Sequence, residues 1–456
     1  MNTPRLSFQI ILRRFAVRRQ SLGRLLPLVL MLAGGPIAAT AQTGHSPTPT
    51  DRLATELMKT NDGLALARLL DLRSDSMSKG MRQLATAYRA GCQGNSKKSA
   101  RLMKRALKKN AHFIDISTQE QLTFGLALQY HRSGQHKKAE KVLSKYLAQH
   151  DTFSMKAIFQ RYRQLFSVYK RLRLNRPNRE VATIPFRLDS VGEDGGRSVA
   201  VCIPSRVNGQ NVDFTFDTGA TLNVVSSQMA ATLHLKPLGT SVSFDGMGEN
   251  RGQMALAESV EMGDFMLRNV PFCIMDAPGA DNQAVVGNDA TVHLAAIVGQ
   301  PVMEAMGCLQ MDFRTNTITV TPDLAVQEAN LSMGFSENGL LVQVLHQGHW
   351  LSLIPDMGAT HSALSLQQLE AQRNYVASYL PERAVHFEGW GGATSGSERL
   401  FPQFDLAVGR SVVALPQMSV LDGISYDSRL GMDFFSRCER VTFRLRYPAG
   451  MSVIAR

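Results

Sequence analysis

Two aspartates in this chain are placed to do chemistry. The first stands in VDFTFDTGATLNVVS, as Asp217 followed by Thr218, Gly219, Ala220 and Thr221. The second stands in LSLIPDMGATHSALS, as Asp356 followed by Met357, Gly358, Ala359 and Thr360. Each D-x-G-A-T follows an apolar, strand-like run, so a strand delivers the carboxylate into a glycine turn. Two carboxylates held together do not both ionise easily. They share a proton, and such a pair can take a proton from a water while donating one to a carbonyl. One Asp-x-Gly turn is ordinary surface chemistry; the repetition is the informative feature. Gly219 and Gly358 permit the turn and let backbone N–H groups approach the carboxylates.

The repetition extends around both aspartates. Asn208-Gly209 and Gln347-Gly348 are hairpin-turn signals, and both glycines precede their aspartate by eight positions (217 − 209 and 356 − 348). Downstream, SFDGMGENRG carries Gly246, Met247 and Gly248, and HFEGWGGATSG carries Gly389, Trp390 and Gly391. Ile297-Val298-Gly299 and Arg429-Leu430-Gly431 come next, and the strand patterns LQMDFRTNTITVTP and RVTFRLRY close each half. The element order is the same twice, and its period is the size of a domain. That implies two equivalent lobes rather than a solenoid.

These residues resemble the retropepsin-like aspartic peptidases, whose lobe has a D-T-G-A turn, a Gly-rich flap hairpin and an apolar-apolar-Gly element beneath the aspartate. The resemblance runs from about Ile184 to the C terminus. It is specific in FDTGATLNVVS and looser in the second half, where Met357 replaces the usual Thr, Pro355 stands within a strand and Arg429 opens the Gly-ending element. It implies two lobes on one chain, catalytic Asp217 and Asp356, and an active-site turn of Thr218, Gly219 and Ala220 against Met357, Gly358 and Ala359. It also implies flaps over an extended peptide, carrying Gly246, Met247 and Gly248 and, in the second lobe, Gly389, Trp390 and Gly391. No metal or cofactor is required. Where pepsin-like members often have Ser or Thr three positions after the aspartate, this chain has Ala220 and Ala359. Loss of those hydroxyls disfavours charge on the pair and predicts a mildly acidic to near-neutral optimum. In the family the Thr beside each aspartate reaches the opposite lobe, so Met357→Thr is expected to stabilise the lobe interface.

The elements that must position this pair follow from pattern. The chain has 456 residues and is 44% hydrophobic, enough for two or three domains with real cores. Residues 1–41 read as a secretory signal: Arg13, Arg14, Arg18, Arg19 and Arg24 precede LLPLVLMLAGGPIAATA, and Ala39-Thr40-Ala41 fits a small-x-small cleavage site. Residues 42–51 read as a polar linker. Residues 52–175 have helical periodicity. In EQLTFGLALQYHRSGQHKKAEKVLSKYLAQH, Gly134 separates two helices in a manner that resembles a tetratricopeptide unit, with an earlier pair ending near Lys109; a plain helical bundle fits as well. After Asn175-Arg176-Pro177 the period changes to alternation. The fold class is therefore an all-β bilobal, acid-protease-like region, with lobes at 183–322 and 332–456, preceded by an all-α helical-repeat domain.

Other classes of function have less support. The formal charge of +12 is concentrated in the leader and in helical runs such as KKSARLMKRALKK, which read as solvated faces, so nucleic acid is not an expected partner. Five cysteines (Cys92, Cys202, Cys273, Cys308, Cys438) have neither redox nor zinc spacing and read mostly as small buried residues. No stretch after the leader has the length and apolarity of a membrane span. There is no H-E-x-x-H, P-loop or dinucleotide fingerprint, and His361 beside the second turn has no nucleophile motif with it. Three functional readings follow. One is an exported, periplasmic or secreted, aspartic endopeptidase acting on peptide or protein. The second is a protein of this fold that binds peptides without cleaving them, to which Met357 and Pro355 point. The third is a scaffold whose helical repeat holds a protein partner.

Overall fold

The computed structural model describes residues 47–110, 115–172, 180–190, 199–245, 249–276, 283–286, 290–293, 295–321, 330–337, 339–370, 380–389, 392–409, 411–422 and 428–456. The expected signal segment, the first half of the linker and the 322–329 connection between the lobes lie outside them. Among the described residues seven α-helices come first: α1 (Pro49–Lys59), α2 (Gly63–Arg73), α3 (Lys79–Cys92), α4 (Ser96–Asn110), α5 (Ile116–Arg132), α6 (His136–Gln149) and α7 (Lys156–Tyr169). Short polar residues start several of them. Thr48 and Asp51 form a reciprocal capping box on α1, and Asp62, Ser78 and Asp115 accept backbone N–H bonds at α2, α3 and α5. Helix α1 thus begins inside the stretch expected to be linker, because Thr48-Pro49 is itself a helix start.

Two helix pairs turn in the same way. Gly94 and Gly134 adopt left-handed φ of 86° and 73°, and Asn95 N–H and Gln135 N–H reach back to the carbonyls of Ala90 and Tyr130. A side chain would strain both turns, which explains the two glycines. Small residues such as Ala85, Ala87, Ala100, Ala127 and Ala139 are buried where successive helices meet.

The first lobe comprises β1 (Ala182–Pro185), β2 (Arg187–Ser190), β3 (Val199–Val207), β4 (Gln210–Phe216), β5 (Val224–Val225), β6 (Lys236–Asp245), β7 (Glu249–Met262), β8 (Phe265–Ile274), β9 (Gln283–Val286), β10 (Ala290–His293), β11 (Ala296–Val298), β12 (Cys308–Asp312) and β13 (Thr317–Val320). It also holds the short helices α8 (Ser227–Thr232) and α9 (Gln300–Met306). The second comprises β14 (Ser332–Ser336), β15 (Gly339–His346), β16 (His349–Pro355), β17 (Ala363–Ser365), β18 (Glu382–Gly389), β19 (Gly392–Val408), β20 (Ser411–Asp422), β21 (Arg429–Leu430), β22 (Cys438–Arg444) and β23 (Gly450–Ala455), with α10 (Leu366–Glu370) and α11 (Met432–Phe435).

The duplication read from sequence is a duplication of topology. One sheet runs β2-β3-β4-β11-β5-β8-β7-β6 and the other β14-β15-β16-β21-β17-β20-β19-β18; β3–β7 and β15–β19 pairings fold each sheet back on itself. The two hairpin signals both hold: Asn208-Gly209 and Gln347-Gly348 have left-handed φ at both residues, as a tight two-residue turn requires. A third sheet, β1-β13-β12-β22-β23, takes three strands from the first lobe and two from the second. Leu309 pairs with Phe443 and Met311 with Val441 across it, so a continuous apolar core joins the lobes. The closing strand patterns therefore serve the lobe junction. The β9–β10 hairpin is a first-lobe addition without a counterpart among the described residues of the second.

The helical domain packs on both lobes. On the second, Arg68 Nη2 donates to Gln343 Oε1 at 2.9 Å, and its guanidinium lies 3.4 Å from the centroid of the Trp350 ring. Ser352 Oγ donates to Asp62 Oδ2 at 2.7 Å, and Gly334 leaves room for Cys92, whose Sγ would lie 2.4 Å from a Cβ there. On the first lobe, Val168 of α7 is buried with Ala220, Val224, Val242 and Met254, beside the Asp217 turn and the strands of the first flap hairpin. All five cysteines are free thiols. Burial pushes those of Cys92, Cys273 and Cys438 up to about 12, so they behave as the small core residues expected.

Candidate active site

Each aspartate stands just past the end of a central strand, held there by a parallel neighbour. Asp217 N–H donates to Val298 O at 2.9 Å, and Asp356 N–H donates to Leu430 O at 2.8 Å. Gly299 and Gly431 close both elements. Gln300 N–H then donates to Ala220 O and Met432 N–H to Ala359 O, each at 2.8 Å. Both carboxylates are buried, Asp217 at 0% and Asp356 at 1% exposure.

The turns face one another across the lobe junction. A Cβ added to Gly219 would lie 2.6 Å from Asp356 Cγ, and one added to Gly358 would lie 2.5 Å from Asp217 Cγ. Any side chain at either position would displace the opposing carboxylate. These glycines are needed for space rather than for an unusual φ. They also donate N–H bonds: Gly219 to Asp217 Oδ1 and Gly358 to Asp356 Oδ1, both at 2.9 Å, while Ala220 N–H reaches Asp217 Oδ1 at 3.2 Å.

Thr218 ties the lobes together. Its hydroxyl donates to Pro355 O at 2.7 Å and accepts Met357 N–H at 2.9 Å. Met357 has no hydroxyl with which to return the pair; its side chain packs in the core that joins the lobes. That packing argues for the opposite outcome to the one expected for Met357→Thr. Burying a methionine is worth roughly 1.5–3 kcal/mol, whereas a threonine would return a hydrogen bond of about 1 kcal/mol. Pro355 is also accommodated. Ile354 N–H donates to Ser428 O, just before β21, and Asp356 N–H to Leu430 O, so the residue between them is one whose N–H that ladder does not use. Asp356 is not displaced.

Residues 203–290 match the family model described as aspartyl protease. That stretch, which carries the Asp217 turn, is similar to the aspartyl protease family. Among solved structures, the chain is similar to a retropepsin-like aspartic protease from Rickettsia conorii, at 17% identity over 32% of this chain and 95% of that one, with a TM-score of 0.20. None of the curated proteins matches the chain significantly.

The sequence-derived turn residues come together: Asp217, Thr218, Gly219 and Ala220 stand on one side of the junction and Asp356, Met357, Gly358 and Ala359 on the other. The flap residues fare differently. Gly246, Met247, Gly248, Trp390 and Gly391 lie outside the described residues. Gly389 ends β18, and the strands flanking each tip pair as hairpins, Asp245 with Glu249 and Gly389 with Gly392.

Several supporting residues escaped the sequence reading. Asn223 Oδ1 accepts Gly299 N–H at 3.0 Å, and Ser362 Oγ accepts Gly431 N–H at 2.9 Å. Both stand six positions after their aspartate (223 − 217 and 362 − 356), an offset visible in the repeat but carried by different residue types. Gln300 Nε2 donates to Thr218 O at 2.9 Å, bracing the tying residue from below. Asp433 Oδ1 accepts from both the N–H and the hydroxyl of Ser362. Burial pushes the Asp433 carboxyl above its usual range, opposed by those Ser362 bonds and by nearby His361. His361 itself meets the Thr360 hydroxyl at 2.9 Å, in keeping with a structural role.

Arg429 is the largest departure. Its Nη1 lies 2.6 Å from Asp356 Oδ2, and both side chains are only 2% exposed. The parallel ladders place Arg429 opposite Ile354 as Ile297 lies opposite Thr215, two residues before each aspartate. Arginine thus occupies in the second lobe the site that Ile297 fills in the first. A guanidinium at this distance favours the ionised form of Asp356. It works against the near-neutral optimum expected from Ala220 and Ala359. The sequence signal was available, since Arg429 broke the apolar-apolar-Gly pattern, but its partner was not.

Proposed function

We propose that this chain is an exported aspartic endopeptidase that hydrolyses peptide bonds in extended substrates through Asp217 and Asp356. The observation that carries the proposal is the apposition of the two D-x-G-A-T turns, each glycine leaving just the space that the other lobe's carboxylate occupies. In this reading a water lodged between the carboxylates loses a proton to one while the other donates to the substrate carbonyl. The roles then reverse to protonate the leaving amine. The Gly-rich hairpins close over the substrate, and Thr218 keeps the carboxylates aligned across the junction. The basic-then-apolar leader supports export to the periplasm or beyond. The helical pairs, with their repeated glycine turns, support a tetratricopeptide-like domain that holds a protein partner or substrate and steers it to the lobes.

The Arg429–Asp356 ion pair and Met357 favour a second reading, a peptide-binding protein that does not cleave. Incubation of the purified chain with a diverse peptide mixture over a wide pH range separates the two. Cleavage by the wild type and none by Asp217→Asn supports the peptidase. Peptide retention without any cleavage supports the second reading.

A further inference from the structure

We propose that Arg429 is a positioning residue that supplies, beside Asp356, the positive charge that a symmetrical carboxylate pair draws from its shared proton, and so assigns the two aspartates fixed and unequal roles. The proposal rests on the peptidase reading above. Its basis is geometric: a buried guanidinium 2.6 Å from Asp356 Oδ2, at the position where the first lobe buries Ile297.

An arginine stays protonated throughout the range in which proteins fold. Isolated in a buried site, it would be heavily penalised, so the resting state pairs it with Asp356 as a carboxylate. The proton needed for catalysis therefore belongs to Asp217. The cycle balances from that state. A water oxygen forms a bond to the carbonyl carbon, its proton passes to Asp356, and the Asp217 proton passes to the carbonyl oxygen. The C–N bond of the resulting diol then breaks as Asp356 returns its proton to the nitrogen and a diol hydroxyl returns one to Asp217. Both aspartates end as they began, and Arg429 exchanges nothing.

Electrostatics sets the consequence. A fixed cation beside the pair weakens the pair's hold on its one proton, so the singly protonated, working form exists at lower pH than it would without Arg429. Among the described residues, the titratable groups on and beside the elements packed around the arginine are His349 at the far end of β16, Asp356 just past its near end, Asp217 on the opposing turn, His361 beside the second turn and Asp433 in α11. Arg429 is the cation that stands against the carboxylate pair itself, 2.6 Å from Asp356 Oδ2.

The test is the pH profile of kcat/KM for Arg429→Ile, which copies the first lobe, Arg429→Gln, which keeps a hydrogen-bond donor without charge, and Arg429→Lys, which keeps the charge. The alkaline limb is expected to move up by about 1–3 pH units in the Ile and Gln variants and to stay near the wild-type position in the Lys variant. The Gln variant keeps the test open should Ile leave the site unable to fold. Cleavage by the Ile or Gln variant with an unmoved profile would overturn the role of Arg429 while the peptidase reading stands. Cleavage that begins only when Arg429 is replaced by a neutral residue would show that Arg429 blocks the site, and would overturn both the role and the peptidase reading for the native chain. Absence of cleavage in every form at every pH would overturn both.

Discussion

At equivalent places beneath the two aspartates, the first lobe buries Ile297 and the second buries Arg429. At equivalent places beside them, the first lobe has Thr218 and the second Met357; six positions on, it has Asn223 and the second Ser362. The backbone plan is the same in both: the aspartate N–H bonds to the parallel strand, and the residue after the closing glycine donates to the turn. Duplicated lobes thus retain what the backbone requires and diverge in the side chains around it. The divergence is one-sided, because one threonine suffices to tie the junction while its partner position is given to packing. A junction so built has one lobe that grips and one that carries charge.

The largest expected effect tests whether the pair is shared at all. Asp217→Asn and Asp356→Asn should each lower kcat/KM by roughly 10²–10⁴-fold, with circular dichroism unchanged. Full activity in Asp356→Asn would mean that the second lobe is not part of the catalytic unit and that two first lobes assemble instead.

The grip comes next. Thr218→Val removes the bond to Pro355 O and leaves Met357 N–H without its buried acceptor. A loss of about 1–3 kcal/mol is expected in urea unfolding, with turnover falling alongside. Unchanged stability would deny Thr218 its role at the junction. Met357→Thr is expected to cost about 1 kcal/mol, the difference between lost packing and a gained hydrogen bond. A rise in Tm would show instead that the second grip was worth more than the buried thioether.

The smallest effect concerns Asp433, whose counterpart after the closing glycine of the first lobe is Pro301. Its carboxyl holds a proton above the usual carboxylate range because it is buried. In the unfolded chain that proton is lost at ordinary carboxylate pH. Stability should therefore fall as pH rises from there through the raised native value. Asp433→Asn, which keeps an acceptor for Ser362, should flatten that part of the Tm-against-pH curve. An unaltered slope would place the dependence elsewhere.

Much of this was legible in the residues. The repeated D-x-G-A-T, the two hairpin signals at the same distance before each aspartate and the change of period after Asn175 suffice for two β lobes behind a helical domain, because turns and periodicity are local properties. Gly94 and Gly134 marked helix ends for the same reason. The linker was misjudged by a few residues because Thr48-Pro49 serves both as polar linker chemistry and as a helix start.

What the sequence by itself determined, then, was the backbone plan and the identity of the two aspartates, since both are written in short-range spacing. The tertiary structure alone decided that Thr218 grips from one side, that Met357 belongs to the core joining the lobes, and that Arg429 is paired with Asp356. Those facts depend on residues brought together from 137 or 139 positions apart for the Thr218 bonds and 73 for the ion pair. Arg429 read as an interruption of an apolar pattern because sequence records which residue stands in a strand, whereas the charge it must balance lies on the neighbouring strand, and only folding sets that distance.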